Sequence, residues 1–309
     1  MIEVASNDGY LLQYFQGRKI PCMGIEPTKS TAAVARAKGI ETIESFFGIQ
    51  LAKQLVAQGK LADLIAANNV LAHVPDINDF VAGFAALLKP QGVATFEFPH
   101  LLKLIAQNQF DTIYHEHFSY LSFTTVQSIF STNGLSIFDV EELGTHGGSL
   151  RVFAQRTDTG RYPRKASVEE LLHDEAQAGT TTSAYYAGFQ GKTNKVKDDF
   201  LSFLLDAKRQ GKTVAAYGAA AKGNTLINYA GIRPDLISFV VDRNPAKQGK
   251  FMPGSRIPIV IEKQLKDAQP DYVIILPWNL KSEVMQQLSY IRKWDGKFVT
   301  AVPQLEVTP

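Results

Sequence analysis

Short apolar runs alternate with stretches of helical spacing through the first half of the chain. Ile2-Glu3-Val4-Ala5 reads as a strand, and Ser6-Asn7-Asp8-Gly9 turns into a helix that carries Leu11, Leu12 and Phe15. Cys22-Met23-Gly24-Ile25-Glu26 is a second short strand, followed by a helix through Ala32–Ala37. Leu64–Ala67 and Val93–Phe98 read as further strands, with the helix Phe80–Leu88 between them. This β-α-β-α order predicts a mostly parallel sheet with helices on both faces. Ser136–Val140 and Ser149–Gln155 are β-rich runs separated by the Gly144–Gly148 loop, and they predict a closing antiparallel pair.

From about Thr157 to Lys212 polar, helix-forming sequence takes over, with helical spacing of apolar residues in Val168–Leu172 and Val196–Leu205. A second α/β unit follows. Thr213–Gly218, Ile237–Asp242, Tyr272–Leu276 and Lys297–Val302 are its strands, with helices Ile261–Ala268 and Ser282–Trp294 between them. The expected division is 1–157 for the first domain, 158–212 for a helical connector and 213–309 for the second α/β domain.

Composition narrows the class. The 309 residues suffice for two cores, and 45% hydrophobic with 20% charged residues is ordinary for a soluble globular protein. A formal net charge of +2 argues against nucleic acid or an anionic membrane as partner. One cysteine, Cys22, excludes an internal disulfide framework and a cysteine-built zinc site. Met1 leads straight into a polar turn and no apolar run is long enough to span a bilayer, so a cytoplasmic protein is expected.

Candidate chemistry gathers at strand ends. Gly9 lets backbone approach a ligand closely, and the helix that follows favours a carboxylate or phosphate at its start. Glu26, 17 residues on at the end of the second strand, can accept hydrogen bonds from ribose hydroxyls, although it can equally be a surface glutamate. Asn68 and Asn69 end the third strand, where ligands of open parallel sheets gather. His73 opens the next helix, where a lone histidine is more often structural.

Tyr114-His115-Glu116-His117-Phe118-Ser119-Tyr120 concentrates groups that hold or move protons. It can be read as a catalytic loop, as a two-histidine metal site or as hydrogen-bonded core. The nearby Phe110, Phe118, Tyr120 and Phe123 predict partial burial, and imidazole beside a carboxylate favours the catalytic reading. His146, in Thr145-His146-Gly147-Gly148, either caps a ligand pocket or sits in a hairpin loop. Gly218-Ala219-Ala220-Ala221-Lys222-Gly223-Asn224 opens a helix after a strand but lacks the spacing of a dinucleotide fingerprint, which disfavours an NAD-dependent oxidoreductase. Lys222 and the helix-start amides can still hold a phosphate, or this domain can be without a ligand.

The runs Ser6–Gly9, Gly24–Pro27, Ala67–Asp76, Glu97–His100, Gln109–Tyr120, Thr145–Arg151 and Tyr217–Asn224 resemble S-adenosylmethionine-dependent C-methyltransferases acting on nucleotide-linked deoxyketosugars. The resemblance covers nearly the whole chain. It implies a Rossmann-like methyltransferase domain followed by a smaller Rossmann-like α/β domain. S-Adenosylmethionine is then expected at Ser6, Asn7, Gly9, Glu26, Asn68 and Asn69. A nucleotide-linked 4-ketosugar substrate is expected to meet His146, Lys222 and Asn224. His117 is the expected base, with Glu116 and Tyr114 orienting it or polarising the substrate carbonyl. Members of this family usually carry an N-terminal, cysteine-rich zinc-binding domain, so no zinc is expected in this chain. The alternative is a non-catalytic or partly active binding protein lacking that domain.

Overall fold

A computed structural model describes all 309 residues, and they form two compact units. The first comprises residues 1–102 and 116–185, the second residues 103–115 and 186–309.

In chain order the first part runs β1 (Ile2–Val4), α1 (Leu12–Gly17), β2 (Met23–Ile25), α2 (Lys29–Ala37), β3 (Thr42–Ile43), α3 (Ile49–Ala57) and β4 (Ala62–Asn68). Then come α4 (Ile77–Leu87), β5 (Leu88–Pro99), α5 (Leu101–Ala106), α6 (Phe123–Thr132), β6 (Leu135–Leu143), β7 (Ser149–Arg156) and α7 (Ala166–Ala178). Two further helices, α8 (Ser183–Tyr186) and α9 (Phe189–Arg209), lead on. The rest is β8 (Val214–Tyr217), α10 (Ala221–Tyr229), β9 (Val240–Val241), β10 (Ile259–Val260), α11 (Lys263–Ala268), β11 (Tyr272–Ile275), α12 (Lys281–Gln287), β12 (Lys297–Thr300) and β13 (Glu306–Thr308).

The first sheet has seven strands in the order β3-β2-β1-β4-β5-β7-β6. β1 to β5 pair in parallel, while β7 pairs antiparallel with both β5 and β6, as the closing pair predicted. Short apolar strands such as Met23–Ile25, buried at every position, are what a sheet covered on both faces requires. Phe80, Phe84, Phe96 and Phe130 fill the core beside it, with Phe84 and Phe96 ring centroids 4.5 Å apart. The chain builds β2 and β3 on one side of β1 and then crosses to β4 on the other. Strand order therefore reverses at β1/β4, and the crevice above their C-terminal ends is where such sheets bind ligands.

The second sheet has six strands, β10-β9-β8-β11-β12-β13, all parallel except β13. Its core unites Val214, Ala216, Ile274 and Val299 with Val196, Phe200 and Leu204 of α9.

Two expectations are corrected here. The stretch 158–212 is not a separate connector: α7 buries Val168 and Leu171 in the first core, whereas α9 belongs to the second. The apolar spacing read in Val168–Leu172 and Val196–Leu205 is the stripe by which each helix joins its own core. Residues 103–115, expected within the first domain, pack instead with the second unit, where buried Phe110 sits 5.4 Å from the Tyr229 ring.

Candidate active site

In the first unit the turn after β1 is built for close approach. Ala5, Asn7 and Gly9 all have left-handed backbone, with φ of 58°, 50° and 76°. Such a conformation is costless only at glycine and mildly unfavourable elsewhere, so the turn holds strain at a site-forming position. The buried Glu26 carboxylate holds it in place. Its Oε2 accepts from the Asn7 amide at 3.1 Å and its Oε1 from the Thr28 amide at 2.8 Å. Ser6 is fully buried, and its Oγ has no hydrogen-bond partner. Gly24 leaves the space that Ser6 occupies, since a Cβ there would lie 2.3 Å from that Oγ.

Glu3 lies on β1 just before this turn, and the sequence reading gave it no role. It is buried on β1, in register with Gly24 and Ala66, and its Oε2 has no partner. Burial pushes its carboxyl up to about 8, so it is protonated at neutral pH. A charged residue in the middle of an otherwise apolar strand was the available signal.

Across the split, Asn68 ends β4 and Asn69 follows in left-handed backbone with φ 53°, its amide donating to the Glu97 carbonyl at 2.7 Å. The Glu97 side chain braces the next loop, accepting from Arg151 Nη2 at 2.8 Å and Thr145 Oγ1 at 3.1 Å. That loop presents His146, exposed and left-handed with φ 56°.

The proton-handling stretch divides between the units. Glu116 and His117 fall in the first unit, Tyr114 and His115 in the second. His117 is half-buried and His115, Glu116 and Phe118 are exposed, so burial is less than the flanking aromatics predict. The amides of Phe118 and Ser119 both donate to the Ala72 carbonyl, at 2.8 and 3.2 Å. This ties the stretch to the short turn Leu71–His73 and brings His73 to it. The His73 and His117 ring centroids are 4.7 Å apart at 65°, and His117 lies 5.8 Å from the Tyr120 ring. His73 Nδ1 is 2.9 Å from the Glu116 carbonyl oxygen. A carbonyl only accepts, so Nδ1 carries the hydrogen and the neutral ring leaves Nε2 as its basic nitrogen. His73 is thus a neighbour that sequence distance hid, 44 residues from His117. No group of three or more metal-ligating side chains occurs in the structure.

In the second unit, Asp111 is fully buried and accepts from Trp278 Nε1 at 2.7 Å, while its Oδ1 has no partner. Burial raises its carboxyl to about 6, against the opposing pull of the Trp278 hydrogen bond and the Lys222 charge. Lys222 Nζ donates to Asn279 Oδ1 at 3.1 Å and stands 4.6 Å from the Trp278 ring centroid. Burial pulls its ammonium below the usual range, partly offset by Asp111. Asn224, two residues on, has an Oδ1 without a partner.

Comparison with known proteins extends these observations. A family model described as a methyltransferase domain matches residues 1–140, and one described as the C-methyltransferase C-terminal domain matches residues 144–303. The chain is 35% identical over 307 residues to the C-methyltransferase NovU of Streptomyces niveus, covering 99% of this chain and 73% of that protein. Among solved structures, an S-adenosylmethionine-dependent methyltransferase from Mesorhizobium loti is 15% identical, with a TM-score of 0.40 over 50% of this chain and 89% of that one. The magnesium protoporphyrin IX methyltransferase of Synechocystis with bound SAH is 16% identical, with a TM-score of 0.39 over 50% and 73% of the two chains. No helix of the structure is long and apolar enough to cross a membrane.

Proposed function

The chain belongs to the C-methyltransferase family, and we propose that it uses S-adenosylmethionine to methylate carbon beside the ketone of a nucleotide-linked 4-keto-deoxysugar. The observation that carries this reading is the likeness to a C-methyltransferase along 99% of the chain. The residues after β1 fit the cofactor. The Ser6 hydroxyl is buried without a partner and Gly24 clears its space, while Glu26 holds the turn through two backbone amides. Ser6, Asn7, Gly9 and Glu26 would hold S-adenosylmethionine with Asn68 and Asn69. When bound, it supplies a methyl group already activated as a sulfonium.

The chain's own work is then positioning and proton transfer. A ketone acidifies the hydrogen on the adjacent carbon. His117 takes that proton, and the electron pair left behind delocalises onto the carbonyl oxygen as an enolate. Tyr114 donates a hydrogen bond to that oxygen, and Glu116 orients the base. The carbon end of the enolate would be the nucleophile for the methyl carbon, the new carbon–carbon bond forming as the methyl–sulfur bond breaks with its electron pair left on sulfur. His146 and Asn224 contact the substrate. In this reading Lys222 serves the substrate's phosphates or sugar.

The test is methyl transfer from labelled S-adenosylmethionine to a panel of nucleotide-linked 4-ketosugars, with the product carbon assigned by NMR. His117→Ala should keep cofactor binding and lose transfer by about 10²–10⁴-fold. Transfer at the wild-type rate by that variant would remove His117 as the base. The fixed tautomer of His73 favours one second assignment, with His73 Nε2 as the base. In that case His73→Ala loses transfer and His117→Ala loses far less.

A further inference from the structure

The residues that lead into the proton-handling stretch form a buried run in the second unit: Asn108, Gln109, Phe110, Asp111 and Thr112. All but Phe110 are polar, and polar side chains stay buried only where partners hold them. Asn108, in left-handed backbone with φ 51°, accepts from Thr193 Oγ1 of α9 at 3.2 Å. Thr112 turns back on the run, its amide and its Oγ1 both donating to the Gln109 carbonyl, at 3.1 and 2.7 Å. The Phe110 ring packs 5.4 Å from that of Tyr229. Asp111 completes the set by accepting from Trp278 Nε1 at 2.7 Å, across 167 positions of sequence.

Burial ends abruptly after Thr112. Ile113 is 46% exposed, Tyr114 is half-buried, and the next helix or strand is α6, starting at Phe123. Tyr114 therefore has no regular element of its own. It belongs to the second unit with the buried run, and its backbone is set by whatever holds Asp111 and Thr112 just before it.

An acid is a costly way to build such a mount. A wholly buried carboxyl with its Oδ1 unpartnered loses stability that an apolar side chain would keep. What the carboxyl adds is direction. Apolar contacts tolerate sliding, whereas a short hydrogen bond to an anchored ring fixes both place and orientation. Trp278 is such a ring: it opens the turn Trp278–Leu280 after β11, and Lys222 Nζ stands 4.6 Å from its centroid. A reacting group needs that support, because a misplacement of about 1 Å costs on the order of 10²-fold in rate.

We infer that Asp111 is a positioning residue: bonded to Trp278, it pins the run Asn108–Thr112 so that the Tyr114 hydroxyl is presented to the substrate carbonyl oxygen. The inference rests on the proposed function in giving Tyr114 that oxygen. Asp111 is wholly buried and acts through Tyr114.

The first test needs no turnover. The full chain is labelled with 3-fluorotyrosine, and the Tyr114 line in the fluorine NMR spectrum is assigned by its absence from Tyr114→Phe. Asp111→Ala should split or broaden that line, and Asp111→Asn, whose amide oxygen still accepts from Trp278, should restore it. An unchanged line in Asp111→Ala overturns the inference, as does Asp111→Asn behaving like Asp111→Ala. Methyl transfer to nucleotide-linked 4-ketosugars then separates positioning from mere stability. Per folded molecule, Asp111→Ala should lose about 10–100-fold in kcat, with KM and S-adenosylmethionine affinity held within about three-fold. In a Tyr114→Phe background it should lose nothing further, and an equal added loss there overturns the inference. Should Asp111→Ala not fold, Trp278→Phe removes the same bond from the other side and is held to the same outcomes. If the fluorine line responds as stated and no such sugar is methylated, the pinning stands and the proposed function falls. If sugars are methylated and Asp111→Ala leaves kcat unchanged, the proposed function stands and the positioning falls.

Discussion

Replacing Glu3 by Gln should make the protein more stable, and only above about pH 5. The carboxyl is buried on β1 between Gly24 and Ala66, one oxygen has no partner, and burial raises it from the usual 4.5 to about 8. Because the folded value lies above the unfolded one, the native state holds a proton that the unfolded chain releases between those values. Stability must then fall as pH rises through that window, by about 1.4 kcal/mol for each pH step, and level off beyond the folded value. Over the whole interval the loss is on the order of 5 kcal/mol. Gln has nearly the same shape and no charge, so Glu3→Gln removes this slope. Urea unfolding of both proteins from pH 5 to 9 measures it. The two should agree within about 1 kcal/mol at pH 5, and the variant should lead by several kcal/mol at pH 8.5. Parallel curves across that range would show that Glu3 is ionised in the native state, and the account of a neutral acid just before the turn would be wrong.

The Glu175 carboxylate should be indispensable to the first unit. Burial pushes its pKa up, but hydrogen bonds from His100, Thr124 and the Phe123 amide outweigh that and hold it below the usual range. Glu175→Gln puts an amide NH₂ among donors beside the buried His100 and should cost about 3–5 kcal/mol in urea unfolding; a cost under 1 kcal/mol refutes the pairing. As the folded pKa is depressed, this contribution is present above the unfolded carboxylate value and is lost as pH falls through the folded one. Gly24→Ala places a Cβ 2.3 Å from Ser6 Oγ and 2.9 Å from its Cβ. It should cost about 1–3 kcal/mol in stability and weaken S-adenosylmethionine binding more than ten-fold, whereas unchanged calorimetric affinity would place the cofactor away from Ser6.

Much of this architecture is written in local patterns. Apolar runs at strand spacing placed β1, β2, β4 and β5, and the antiparallel pairing of Ser136 with Gln155 follows from two β-rich runs joined by a glycine loop. The elements that escaped are those whose signal is too short or comes from far away. β3 and β10 are two residues each and exist because a neighbouring strand offers its edge. The run Ile237–Asp242 forms a strand only at Val240–Val241, although Ser238 still donates to the Val214 carbonyl. Ser282–Trp294, uniformly helical by spacing, breaks after Gln287 into a 3-10 segment, Ser289–Trp294.

The site divides along the same line. The strand ends that single out Glu26 and Asn68 as candidates are legible because each follows from its own apolar run, where parallel sheets bind ligands. His73 is not, because only the Ala72 carbonyl, gripped by the amides of Phe118 and Ser119, brings it to His117. Asp242, which in the sequence only ends the run Ile237–Asp242, shows the same contrast. Its meaning comes from accepting the Ala219 amide as Glu26 accepts that of Asn7, a likeness between the two units that no alignment of side chains reveals, since an alanine stands where the other has an asparagine. A clamp that works through backbone amides leaves the turn residue free to vary, so the acid at the strand end is the part of the device that sequence can show.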